Sequence, residues 1–117
     1  MRPRPFFRSR VESLLSHWEG EAKLNKPVKG STATTRDHLT RVWEMTKHKP
    51  RELDIPAMPE GMGYLAGLFW ELKRTSDPLT WQEMDAWTRM MDRQIEPEEA
   101  RVLMKMDGIH CRVMSEA

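Results

Sequence analysis

The chain has 117 residues, the size of one ordinary domain, and its formal net charge is only +1, so as a whole it lacks the positive excess typical of nucleic-acid-binding proteins. Its single cysteine excludes an intramolecular disulfide framework, and no apolar run approaches the roughly 20 residues that a membrane span needs. The basic start is not followed by the apolar stretch of a secretory signal, so the sequence predicts a cytoplasmic protein with no membrane partner.

The charge is unevenly distributed along the chain. Residues 1–58 hold 12 Lys and Arg against 7 Asp and Glu, a net of +5, whereas residues 59–117 hold 7 against 11, a net of −4. Either the basic half contacts an acidic partner, or the two halves attract each other within one molecule. We favour the second explanation because both charges are modest.

The first helix is predicted over about residues 10–23. Apolar residues from Phe7 to Ala22 recur at helical spacing, and Ser9 with Glu12 fits a capping box at the start. Residues 25–32 have the proline, glycine and polar content of a loop. We therefore divide the chain into residues 1–34, a basic N-terminal arm with the first helix, and residues 35–117, a helical domain.

Two further helices are predicted in the middle of the chain. The second starts near Thr35 and ends at about residues 47–48, because the residue before Pro50 disfavours the helical conformation. A proline-rich connection follows at about residues 50–61. The third helix is predicted over about residues 59–74, with glycines that weaken its first turns.

The last two helices have the clearest start signals. Thr80 with Glu83 predicts a second capping box, followed by an inner stripe that includes Met84 and Trp87. Pro97 suits the first position of the final helix, which turns five apolar residues inward: Val102, Leu103, Met106, Ile109 and Val113. No segment has the pattern of a strand, so the predicted fold is all-α, a small bundle of four to five short helices with a basic N-terminal arm.

Catalytic motifs are missing from the sequence. The four histidines have no Cys or carboxylate at metal-ligand spacing. Neighbouring carboxylates of the last two helices do not converge on one substrate, and capping and the helix dipole explain Glu96 with Glu99. We predict that the chain is not an enzyme and uses no cofactor.

Nucleic-acid binding is the first alternative function. Four arginines could form a basic contact region for DNA or an acidic partner: Arg2, Arg4, Arg8 and Arg10. The final helix could also enter a DNA groove, but it opens with three glutamates that phosphates would repel. For that reason nucleic acid is not the favoured partner.

The aromatic content favours contact with another protein chain. Full burial of five tryptophans in one small core is difficult, so part of this surface is expected to meet a partner. Trp87 shares the inner stripe of its helix, whereas Trp81 lies at the first turn and Trp70 flanks the apolar stripe of the third helix.

Residues 36–110 resemble the small tail assembly chaperones of long-tailed phages, which are encoded near the tape-measure gene. The resemblance rests on Phe69-Trp70-Glu71-Leu72, then Leu79-Thr80-Trp81-Gln82-Glu83-Met84-Asp85-Ala86-Trp87, and then Pro97-Glu98-Glu99-Ala100-Arg101-Val102-Leu103-Met104-Lys105-Met106-Asp107. Glu98 stands where that family has an aromatic residue.

The resemblance implies a non-catalytic chaperone whose partners are the tape-measure protein and the tail-tube protein. The sequence leaves open whether the chain also forms a homo-oligomer. The expected binding surface is centred on residues 80–92 and 97–112 with two aromatic residues of the third helix, and its members are Phe69, Trp70, Leu72, Trp81, Asp85, Trp87, Pro97, Arg101, Leu103 and Met106. Besides a DNA-binding or regulatory protein, the remaining alternative is a minor structural component of the phage tail or neck.

Overall fold

The computed structural model describes residues 5–116, with side chains from Phe7 onward. Five α-helices follow one another along this range, and a short 3₁₀ turn at Arg51–Leu53 lies between the second and third: α1 Pro5–Asn25, α2 Thr35–Thr46, α3 Gly63–Leu72, α4 Trp81–Met90 and α5 Pro97–Ser115. Within the described range no strand forms, and one isolated bridge joins Pro27 to Thr34. The predicted all-α bundle is therefore confirmed.

The start of α1 differs from the prediction. The helix begins at Pro5 rather than near residue 10, so Ser9 lies inside it and the predicted capping box is wrong. Phe7 packs against the core, and its burial requires the helix to extend beyond Ser9 toward the N-terminus. A proline is well suited to the first turn, because its missing N–H has no partner there in any case.

The second helix agrees with the prediction at both ends. Thr34 caps α2 by accepting a hydrogen bond from the Asp37 amide at 3.2 Å, and the Asp37 carboxylate accepts one from the Thr34 amide at 3.1 Å. At the other end Lys47 adopts φ = 64°, and its amide donates to the Trp43 carbonyl at 2.8 Å. This left-handed residue ends the helix before Pro50.

The third helix is shorter than predicted. Gly61 has φ = +80°, a conformation that cannot continue a right-handed helix, so α3 begins only at Gly63. At its other end α3 stops at Leu72, before the turn that leads to α4.

The core forms where α1 and α3 pack against α5. Its fully buried side chains come from all three helices: Leu14, Leu65, Phe69, Leu103 and Met106. The Trp18 indole adds a polar tie between α1 and α5, because its N–H donates to the Met106 carbonyl at 2.9 Å. The division of the chain at residue 34 stays a prediction; the described part of residues 1–34 contributes Leu14 and Trp18 to the common core.

The proline-rich connection lies along α1. The His17 ring nitrogen Nδ1 is 2.7 Å from the Pro56 carbonyl oxygen, and Arg10 donates to the Glu60 carbonyl at 2.9 Å. Ile55 approaches α1 so closely that a Cβ on Gly20 would lie 2.7 Å from its Cγ2 atom. The absence of a side chain at Gly20 is thus what allows the connection to pack there.

Polar contacts also fasten α1 to the far end of α5. Lys26, one residue beyond α1, donates to the Val113 carbonyl at 2.8 Å and to the Glu116 carbonyl. A cation at this position stabilises the negative end of the α5 dipole. Glu19 and Arg112 form an ion pair between the same two helices.

Candidate protein-binding surface

An apolar groove runs between α1, α3 and α5, and we call it the Trp70 groove. It encloses about 370 Å³ and is lined by residues of three helices and of the connection: His17, Trp18, Glu21, Ala22, Asn25, Met58, Ala66, Trp70, His110 and Met114. Six of the ten lining side chains are apolar. A groove between helices with such a lining has the form that accepts the apolar face of a helix.

An aromatic cluster holds Trp70 in place at the edge of this groove. Its ring lies 5.0 Å from that of Phe69 and 5.5 Å from that of His110, both nearly perpendicular, and 5.7 Å from that of Trp18. Edge-to-face contacts of this kind are favourable. Even so, 53% of Trp70 remains exposed. The cluster therefore presents a large aromatic side chain to solvent in a fixed orientation.

The walls of the Trp70 groove carry little net charge. Burial, with the nearby Lys73 ammonium, lowers the pKa of His110 below its ordinary value of 6.5, although Asp107 acts in the opposite direction. Glu21 is paired with Arg36 at 2.8 Å. A neutral histidine and a paired carboxylate make the groove suited to apolar rather than charged side chains.

A second groove separates α3 from α4. It encloses about 410 Å³, and its lining includes Leu72, Trp87 and Met91 with the charged residues Glu71, Arg74 and Glu83. Trp87 is half-buried against the core, as its place in the inner stripe predicts. The two grooves share no lining residue, so the surface expected from the sequence is divided into two.

A buried ion pair fixes the loop that leads into α4. Lys73 Nζ lies 2.7 Å from Asp107 Oδ1, and both side chains are almost completely buried. Asp107 Oδ2 accepts a hydrogen bond from the Leu79 amide at 2.8 Å, and Lys73 donates to the Asp77 carbonyl at 2.6 Å. These contacts tie both ends of the turn to α5 and so determine where α4 begins.

Thr80 then caps α4, as predicted. Its hydroxyl oxygen accepts a hydrogen bond from the Glu83 amide at 3.1 Å. In a full capping box the Glu83 carboxylate would accept a hydrogen bond from the Thr80 amide. Here it accepts one from the Thr80 hydroxyl instead, also at 3.1 Å, so only half of the predicted capping box forms. Trp81, at the first position of α4, is 54% exposed.

The residues expected at the binding surface fall into two groups in the structure. Four are buried in the core and support the exposed residues from beneath: Phe69, Leu72, Leu103 and Met106. The others reach the surface wholly or in part: Trp70, Trp81, Asp85, Trp87, Pro97 and Arg101. Asp85 is already paired with Arg89 on the outer side of α4.

Sequence reasoning missed several residues that line the Trp70 groove. Trp18 and Ala22 were in the apolar stripe of the first helix and could have indicated a contact between that helix and a partner. Met58 and Met114 gave no such signal, because one lies in an irregular connection and the other on the last turn of α5. Only folding brings these four residues together.

The predicted basic contact region is described only in part. Arg2 and Arg4 lie outside the described residues. Arg8 is exposed on α1, whereas Arg10 reaches across to the connection before α3. None of the described helices is long and apolar enough to cross a membrane. The same residues contain no group of three His, Cys, Asp or Glu side chains placed to hold a metal ion.

A small all-α chain with exposed aromatic side chains beside apolar grooves has the form of a protein that binds other chains. Residues 42–112 match the model of a family described as phage tail assembly chaperone. They make up 71 of the 117 residues, and the chain therefore belongs to that family. No curated protein and no solved structure matches it. The matched segment begins within α2, so α1, which supplies one wall of the Trp70 groove, lies outside it.

Proposed function

We propose that this phage tail assembly chaperone acts without catalysis by binding a helical segment of the tape-measure protein in the Trp70 groove. Binding would keep the apolar stripe of that segment out of water until the tail tube assembles around it. Tail-tube subunits are the second proposed partner, and the cytoplasm of the infected cell is the proposed place of action. Membership of the family supports the general role.

The chemistry of the groove supports a helical and apolar partner. An amphipathic helix places one apolar residue every three or four positions along a single face, and a groove between helices can receive such a stripe. Met58 and Met114 line the groove. Because methionine side chains are flexible and polarizable, they adapt to partners of different shape. A chaperone that coats a long chain has to accept many related segments rather than one.

The observation that carries the proposal is the exposed, immobilised Trp70. A tryptophan that is 53% exposed while packed against three other rings loses little rotamer freedom when a partner covers it. Residues of this kind are typical binding hot spots, and their truncation commonly costs 2 kcal/mol or more, so roughly a thirtyfold loss of affinity is expected.

Co-expression with the tape-measure protein tests the proposal. The wild-type chain should raise the soluble fraction of the tape-measure protein, and Trp70→Ala should remove most of that effect. Trp81→Ala is the matched control, because Trp81 is 54% exposed but lies on α4, away from the groove. Circular dichroism of both variants checks that the helices persist.

A second variant keeps the test independent of the aromatic cluster. Met114 lies in the groove lining but has no ring contact, so Met114→Glu places a charge in the groove while leaving the cluster intact. It should also reduce the soluble fraction. Equal effects of the Trp70 and Trp81 substitutions, or an unchanged fraction with Met114→Glu, would contradict binding at this groove.

A further inference from the structure

The Trp70 groove is about two helical turns long. Its α1 wall runs from His17 to Asn25, which spans roughly 12 Å at about 1.5 Å per residue. Its walls on α3 and α5 are each formed by two residues one turn apart: Ala66 with Trp70, and His110 with Met114. A partner helix that lies in the groove therefore meets it with two neighbouring members of its apolar stripe, which are roughly 6 Å apart along the helix axis.

The volume of the groove agrees with this length. The groove encloses about 370 Å³, whereas a dry protein cavity of roughly 150 Å³ is large enough to hold one benzene molecule. The groove thus has room for about two side chains of that size. Small side chains would leave part of the space empty, and the apolar walls would lose the contacts that a larger side chain makes.

Two alanines keep this space open. Ala22 of α1 is buried and Ala66 of α3 is half-buried, and both line the groove. They are the smallest of its lining side chains, whereas the other apolar members are two tryptophans and two methionines. A longer side chain at either alanine would occupy the space that a partner needs.

The polar side chains that α1 contributes to the groove already bond within the chain. His17 Nδ1 lies 2.7 Å from the Pro56 carbonyl oxygen. The Arg36 guanidinium holds the other two, since its Nη2 atom is 2.8 Å from Glu21 Oε2 and its Nη1 atom is 2.8 Å from Asn25 Oδ1. Selection of a partner is therefore left mainly to the size of its apolar side chains.

We infer that the Trp70 groove selects helical segments with two large apolar side chains three or four residues apart, and that Ala22 and Ala66 determine which sizes fit. This inference rests on the proposed function, because it names the class of segment that the groove takes. Segments that offer only alanine, or a single large side chain, bind weakly. The required motif is short and recurs along any long amphipathic helix.

Overlapping peptides that cover the tape-measure protein test this inference, with binding to the full chain measured by fluorescence anisotropy. The peptides that bind should share two large apolar residues at the stated spacing. Alanine at either position should weaken binding at least about tenfold, because burial of each large side chain contributes that much to the binding constant. Substitutions on the opposite, polar face of the peptide should leave the affinity unchanged.

Variants of the chain test the same fit from the other side. Ala66→Leu should weaken binding of a two-residue peptide at least about tenfold, yet bind its alanine-substituted form more tightly than the wild type does, because the added leucine fills the vacated space. Loss of folding cannot produce such a reversal. Ala22→Met repeats the test on α1. Ala86→Leu is the matched control, since Ala86 is exposed on α4 and lines the other groove, and it should bind as the wild type does.

The outcomes separate this inference from the proposed function. Peptides that bind the wild type but not Trp70→Ala, together with the reversal at Ala66, would support both. If such peptides bind but tolerate alanine at both positions, or bind Ala66→Leu and Ala22→Met as tightly as the wild type, the inference is overturned and the proposed function stands. If no tape-measure peptide binds, or Trp70→Ala binds them equally well, the proposed function fails and the inference fails with it.

Discussion

Two helices of this chain, α2 and α5, look alike in sequence but lie in opposite environments. Both are amphipathic, and in both a carboxylate of the first turn accepts a hydrogen bond from the backbone amide of the cap: Asp37 from Thr34, and Glu99 from Glu96 at 2.8 Å. Yet α5 buries Val102, Leu103, Met106 and Val113, whereas α2 buries no residue. Caps and an apolar stripe specify a helix, but they do not specify what covers the stripe.

The difference arises from the number of neighbours. α5 is packed by α1 and also by α3, so its stripe is enclosed from two sides. α2 rests on α1 and on the 3₁₀ turn, which leaves its outer side in water. Equivalent substitutions in the two helices should therefore differ strongly in their effect on the free energy of unfolding.

The largest difference in the loss of unfolding free energy is expected between a buried ion pair at α5 and an exposed one at α2. Lys73→Met leaves Asp107 of α5 buried and unpaired, which should lower the free energy of unfolding by about 3–5 kcal/mol. Arg36→Met breaks the partly exposed pair with Glu21 at the start of α2 and should cost at most about 1 kcal/mol. Urea denaturation measures both.

The double variant Lys73→Met/Asp107→Leu serves as the control for this effect. Removing both charges leaves no unpaired ion in the core, but leucine also removes the acceptor of the buried Leu79 amide. This double variant should therefore recover only part of the stability lost by Lys73→Met, and Lys73→Met/Asp107→Asn, which keeps an acceptor oxygen there, should recover more. A double variant as unstable as the single one would show that packing at this place, rather than the ion pair, is what matters.

Truncation of a leucine in each helix should give the next largest difference in lost stability. Leu103→Ala removes a fully buried side chain of α5 and should cost about 2–5 kcal/mol. Leu39→Ala removes the same atoms from a half-buried position of α2 and should cost less than half as much. Thermal unfolding followed by circular dichroism distinguishes the two, and equal losses would mean that a partner or a second copy already covers α2 in solution.

The smallest expected effect is the pH dependence of stability that arises from His110, which lies on the α5 wall of the Trp70 groove. Its pKa is lowered in the fold, so the unfolded chain takes up a proton first as the pH falls below 6.5. Stability contributed by the neutral ring is therefore present above pH 6.5 and lost as the pH falls toward the lowered pKa. The stability of His110→Gln should depend less on pH in this range, and parallel pH profiles of variant and wild type would rule out a contribution from His110.

Much of the fold could be predicted because its signals are local. The cap at Thr80 and the proline at the start of α5 act within one helical turn, and both lie where the sequence indicated; the start of α2 near Thr35 was also predicted, although its cap at Thr34 was not. The starts of α1 and α3 could not be predicted in this way. Burial of Phe7 lengthens the first helix, and the left-handed conformation of Gly61 shortens the third.

The candidate site was predictable only in outline. The sequence left open which of Phe69 and Trp70 reaches the surface and whether Trp81 is exposed. In the structure Trp70 and Trp81 are exposed, whereas Phe69 points into the core. The Trp70 groove draws its lining from α1, the connection, α3 and α5, which are far apart along the chain. No local pattern relates Met58 to Met114, so the groove itself could not be found from the sequence.

The sequence by itself determined the all-α class, the starts of α2, α4 and α5, the family and the uneven distribution of charge. These properties depend on neighbours within a few residues, on motif spacing or on simple composition. Only the tertiary structure decided which apolar stripe is enclosed, which tryptophan is exposed beside a groove and which charges stay unpaired. Burial and ion pairing depend on distances between residues remote in the chain, and those distances are set when α1, α3 and α5 pack around one core.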